Sequence, residues 1–128
     1  MDAQTHWQEG HKYALEGMKV MLAINGGAAV ALLAALGQIK ELRVPVIAIS
    51  MMFFGFGALA AAMTFFTAYL TQLHYGNREI EGLDQISADR AARKFHFFSY
   101  ALFSSAAIFF VCGLACVAFA ILFLVKPT

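Results

Sequence analysis

A chain of 128 residues with 61% hydrophobic residues, 13% charged residues and a mean hydropathy of +0.70 lies outside the range of ordinary soluble domains, in which about a quarter of residues carry charge. A formal net charge of +1 leaves no basic surface suited to nucleic acid, and two cysteines make no disulfide framework. The fold class this implies is an all-α integral membrane protein.

The first segment is the most polar part of the N-terminal half. Glu9, Lys12, Glu16 and Lys19 fall three and four apart, while Trp7, Ala14 and Met18 mark a second stripe, so a helix is expected from near Ala3. It enters the first uncharged run, Val20 to Ile39. Nineteen mixed, partly acidic residues precede that run, unlike the short basic start of a signal peptide, so it reads as a span. Helix 1 is expected over about 3–37, continuous with the span, the alternative being a kink at Gly17 with the first part lying on the membrane surface.

The segment "GQIKELRVP" is a tight reversal, with Gly37 ending helix 1 and Pro45 suited to the first turn of helix 2. The second uncharged run, Val44 to Leu73, predicts helix 2 over about 44–75, ended at "HYGN" by Gly76 or Asn77 in a left-handed C-cap. A connector follows over 76–86. In "ISADRAARKFHF" Ser87 is the expected N-cap, with Asp89 and Arg93 forming an i, i+4 pair. Helix 3 is expected over about 87–125 and contains the third uncharged run, Phe97 to Val125. Each run exceeds the roughly 20 residues that cross a bilayer, and neither long run holds the polar turn that a reversal inside the membrane requires. The architecture is three transmembrane helices in one membrane domain, 1–128, with helical extensions on the cytoplasmic side.

Lys12, Lys19, Arg78, Arg90, Arg93 and Lys94 fall on one side of this topology, and Lys40, Arg43 and Lys126 on the other. The excess of cations predicts a cytoplasmic N-terminus and a C-terminus on the opposite side. The expected location is a bacterial inner membrane.

The polar residues of the spans gather at one estimated depth. Counted from the middle of each run, Asn25 lies about 7 Å to the cytoplasmic side, Thr64 about 8 Å, Ser104 and Ser105 about 10 Å and Thr67 about 13 Å. Thr64, Thr67 and Thr71 share one face of helix 2. One reading makes this layer glue, since membrane helices associate through close packing and polar side chains. In that reading Gly26 and Gly27 permit close approach, and small-residue seams run through Gly27, Ala31 and Ala35, through Gly57 and Ala61, and through Cys112, Cys116 and Ala120. A second reading makes the layer the lining of a pore, where Asn and Thr oxygens replace part of an ion's hydration shell. A third makes "NGG" a break in helix 1 that exposes carbonyls to a ligand.

Catalytic signals are sparse. His6, His11, His74 and His96 all lie outside the uncharged runs and match no metal-binding spacing, so they read as solvated or interfacial. Cys112 and Cys116 share a helix face and read as packing thiols. No metal, no other cofactor and no enzymatic activity is expected. Three helices make a thin core, and phenylalanines surround helices 2 and 3. Lipid is therefore one partner, and a homo-oligomer or a larger membrane protein is the other. Two functions follow as expectations: a small homo-oligomeric channel or membrane-permeabilising effector, or a non-catalytic accessory subunit of a larger membrane complex.

Overall fold

The computed structural model describes residues 3–36, 44–77 and 84–124, with side chains over 12–36, 45–76 and 84–122. The architecture is all-helical, with α1 spanning Ala3–Leu36, α2 Val44–Asn77 and α3 Gln85–Leu124, and no strand among the described residues. The helices contain 34, 34 and 40 residues, so they are on the order of 50 to 60 Å long. Their apolar segments of 25, 32 and 38 residues make all three long and apolar enough to cross a membrane of about 30 Å.

The helix ends follow local chemistry. The sequence predicts Ser87 as the cap of α3, but the cap is Asp84. Its Oδ1 accepts from the backbone N–H of Ile86 at 3.0 Å and of Ser87 at 3.3 Å, and its carbonyl accepts the N–H of Ala88 at 3.1 Å. A carboxylate that takes the second and third orphan amides and also faces the positive helix end outcompetes a hydroxyl one turn later. Ser87 instead gives its hydroxyl hydrogen to the Asp84 carbonyl. At the other end of the connector α2 runs on to Asn77, so of the two expected cap positions, Gly76 and Asn77, Gly76 stays helical. Gly17 lies within α1 without ending it. The reversal expected at 37–43 lies outside the described residues.

Packing follows a repeat of seven. In α2 the buried residues Ile47, Phe54 and Ala61 form one series and Ser50, Gly57, Thr64 and Thr71 the other. In α3 the inner series is Ala92, Ser99, Ala106, Gly113 and Ala120. Every member of it is small, and all but the half-buried Ser99 are buried. Two interleaved sevens are the signature of helices meeting along a shared seam, and small residues on it bring the backbones close. Phe54 fills the space that Gly113 leaves. A Cβ at Gly113 would lie 2.6 Å from the Phe54 ring, which also packs on Phe110 at a centroid distance of 5.8 Å. Ala60, Ala61 and Ala106 form the buried core, flanked by Met21 and Leu102.

α2 meets α3 more extensively than it meets α1, and α1 meets α3 least of all. On α1 only Met18 and Asn25 are buried among the described side chains, again seven residues apart.

Candidate functional site

Asn25 occupies the middle of the bundle. The seven-residue series of α1 turns it inward, where it is 0% exposed. Its Nδ2 donates to the Met21 carbonyl of its own helix at 3.0 Å and, more weakly, to the Ala106 carbonyl of α3 at 3.4 Å. Its Oδ1 has no hydrogen-bond partner. That oxygen fills a notch in α2, because a Cβ on Gly57 would overlap the carboxamide, with Asn25 Cγ 2.6 Å away. Only glycine leaves the space, and it presents its Cα hydrogen to the oxygen, the weak contact that recurs where helices pack closely. Asn25 thus joins all three helices.

The two glycines after it have a different setting. Gly26 is half-buried and Gly27 exposed, and a Cβ at either would meet nothing within 4 Å. Ala31 is exposed and Ala35 half-buried, whereas Gly57 and Ala61 are buried in the interior. The helix-1 seam therefore faces away from the chain's own core, while the helix-2 seam forms it. Cys112 and Cys116 are half-buried free thiols on α3, and Ala120 of the same seam is buried.

The polar residues do not lie at one level but extend along the bundle. Asn25 sits against Gly57, one seven-residue repeat or about 10 Å from Thr64 along α2. Estimating depth from the middle of each run presumes that runs of unequal length share a midpoint, and these do not. Thr64, Thr67 and Thr71, all buried, continue over a further repeat of α2, with Ser99 of α3 beside them. Thr64 donates to the Ala60 carbonyl at 2.9 Å, Thr71 to the Thr67 carbonyl at 2.8 Å, and Thr67 to the carbonyls of Met63 and Thr64. Ser99 bridges the helices, reaching Thr67 Oγ1 and the Phe95 carbonyl, each at 2.9 Å. Ser104 is exposed, and Ser105 gives its hydrogen to Ala101 of its own helix; neither joins Asn25. Ser99 is the residue that fours and depth estimates miss. The sevens linking it to Ala92 and Ala106 would have found it.

Toward the connector end the three helices enclose a cleft of about 290 Å³. Tyr13, Gly17 and Met18 wall it from α1, Thr64, Thr71 and Tyr75 from α2, and His96, Tyr100 and Phe103 from α3. The Phe103 ring lies 3.8 Å from where a Gly17 Cβ would be, an ordinary van der Waals distance, so α1 meets α3 at the inner end of the cleft without requiring a glycine there.

The histidines split. His74 stacks on Phe95 at 5.4 Å, and His96 meets Tyr100 edge-on at 4.8 Å; the side chains of His6 and His11 lie outside the described residues. Among the described residues no three His, Cys, Asp or Glu side chains gather in a way that could hold a metal ion. Of the predicted charge pairs, Lys19 meets Glu16 at 2.7 Å and Arg93 meets Asp89 at 2.6 Å. The side chains of the first pair are 61% and 63% exposed, so it adds little to stability. The arrangement is chemically a set of hydroxyls and a carboxamide spent on backbone carbonyls, beside an aromatic cleft. No protein-family model, curated protein or solved structure matches this chain, so its function has to be argued from this geometry.

Proposed function

We propose that the chain is a non-catalytic accessory subunit of a larger membrane complex. Its three helices cross a bacterial inner membrane with the N-terminus and the connector in the cytoplasm, and its outward faces bind lipid and a partner. The supporting observation is where the polar groups go. Asn25, Thr64, Thr67 and Thr71 are buried within a single chain; Asn25 reaches the Ala106 carbonyl of α3 and Thr67 accepts from Ser99, which is the work of helix association, while the threonine hydrogens go to carbonyls of their own helix. A pore needs such groups to face an aqueous axis.

A homo-oligomeric channel is the second reading, favoured by a different observation. Gly27, Ala31 and Ser104 are all exposed, and Gly27 and Ala31 offer the close approach that a second copy would use.

Reconstitution into liposomes separates the two. The accessory reading expects no ion flux, and it expects a cysteine at position 30 in place of exposed Val30 to cross-link in native membranes to a larger chain at fixed stoichiometry. A homogeneous multimer that conducts, and loses flux per particle in Asn25→Leu or Thr64→Val, would replace it with the channel. Topology is tested on a background lacking Cys112 and Cys116. Glu41→Cys should react with an impermeant thiol reagent in intact cells and Asp84→Cys should not; reversed labelling would invert the orientation.

A further inference from the structure

We propose that the cleft at the connector end is a binding site for a single-chain lipophilic amine, an amphiphile with one ammonium head and an alkyl tail, reached from the membrane. This rests on the membrane-spanning part of the reading above and on neither form of assembly.

Size sets the first limit. At about 290 Å³ the cleft is at the lower end of small-molecule sites, enough for one chain and a compact head but not for a two-chain phospholipid. Composition sets the second. Met18, Ala68 and Phe103 give the cleft a carbon-rich wall, and Tyr13, Tyr75 and Tyr100 contribute one phenol ring from each helix. Aromatic faces attract an ammonium through their negative quadrupole.

The hydroxyls set the third. Thr64 and Thr71 have each given their one hydrogen to a helix carbonyl, and Ser99 gives its own to Thr67 or Phe95. What Thr64, Thr71 and Ser99 offer a ligand is oxygen lone pairs, which accept from an N–H donor. Among the described residues no lysine or arginine lines the cleft to hold an anion. The hydroxyl oxygens thus favour a donor, the rings favour a cation over a neutral alcohol, and a lining whose one basic side chain is His96, turned edge-on to Tyr100, offers a carboxylate little. An alkylammonium satisfies all three.

The test uses the full chain in detergent micelles and in nanodiscs, with a diazirine-bearing alkylamine as photoprobe and mass spectrometry to locate the label. Label should appear within 13–18 and 96–103, and dodecylamine should compete about tenfold better than dodecanol, the factor expected of a partly desolvated cation–π contact. Dodecanoate should not compete. The double variant Tyr13→Leu with Tyr100→Leu should lower labelling by a similar factor, and because those residues are 76% and 64% exposed the bundle should fold without their rings. Ala68→Phe should block the cleft directly.

Equal competition by amine, alcohol and carboxylate, or labelling unchanged in the double variant, would overturn the proposal and leave a hollow filled by ordinary acyl chains. Competition by phosphatidylethanolamine vesicles as strong as that by dodecylamine would overturn the single-chain assignment. Resistance to carbonate extraction is read on the same preparation. Binding in micelles by an extractable chain would refute the spanning reading alone, and retention in the membrane without binding would refute the cleft alone.

Discussion

The α2–α3 pair and the seat of α1 are built on different principles. α2 and α3 share a seam of small residues, with Phe54 set against Gly113 and Ala61 and Ala106 both fully buried. Their union is a matter of shape. α1 brings only Met18 and Asn25 fully inside among its described side chains, and Asn25 is a polar group set into a one-residue notch at Gly57. Shape complementarity spread over a long seam tolerates the loss of any one contact, whereas a plug in a notch concentrates the attachment of a whole helix at one place.

The largest test of that contrast is the same substitution at two glycines. Gly57→Leu should cost about 3 kcal/mol, the upper end for overpacking, and should detach α1 while α2 and α3 remain paired. Unfolding in mixed micelles gives the first quantity and α1–α2 cysteine cross-linking the second. Adding Asn25→Ala should recover part of the loss, because it removes the group that collides. Gly27→Leu, where the added side chain meets open space, should change the stability of the single chain by less than about 0.5 kcal/mol and should lower particle mass only if copies meet there. Equal costs at the two positions would erase the distinction.

Next comes the seam itself. Gly113→Ala places a methyl group against the Phe54 ring, an overpacking worth about 2 kcal/mol. Phe54→Leu in the same chain should return some of it. If the shape argument holds, α1–α2 cross-linking through the Asn25 region should be unaffected, since Gly113 touches the other interface.

The three helices were legible because uncharged runs of this length have one common meaning. Asn25 could be picked out for the same reason, as a carboxamide amid aliphatic residues demands an account. Its partners could not, because a notch is the absence of a side chain on another helix and its register depends on how α1 is set against α2. Spacing by four drew attention to Gly27 and Ala31, which face outward, while spacing by seven in α3, from Ala92 through Ser99, Ala106 and Gly113 to Ala120, carries the interface. Both periods place small residues on one helical face, and only the seven persists along the whole contact. The cap of α3 lies three residues before the expected Ser87, because Asp84 is an equally good capping type and the helix takes its carboxylate as the cap of choice.

That choice gives a prediction of middle size at the edge of the seam. Asp84→Ala should destabilise the chain by about 1 kcal/mol through loss of the cap, and Ser87→Ala, which removes only a hydroxyl bonded back to Asp84, should cost less. Hydrogen exchange at Ile86 and Ser87 amides would locate the effect. Faster exchange there with the α2–α3 core unchanged is the expected pattern, and slow exchange at both amides in Asp84→Ala would restore Ser87 as the cap.

The smallest effect is expected where the seam is itself polar, at Thr67 and Ser99. The bond between them, 2.9 Å long, joins two helices side chain to side chain, and membrane bonds of this kind average about 0.6 kcal/mol in double-mutant cycles. Its neighbours set the value. Thr67 also reaches the carbonyls of Met63 and Thr64, and Ser99 reaches that of Phe95, so each hydroxyl keeps a backbone acceptor when the other is removed. Thr67→Val, Ser99→Ala and their double variant should therefore show a coupling of about 0.5 kcal/mol or less. Ser99→Ala alone should be close to neutral, since alanine suits a series already composed of Ala92, Ala106, Gly113 and Ala120. A coupling well above 1 kcal/mol would mean that the α2–α3 seam, like the seat of α1, depends on a polar contact, and the contrast between the two interfaces would then be one of degree.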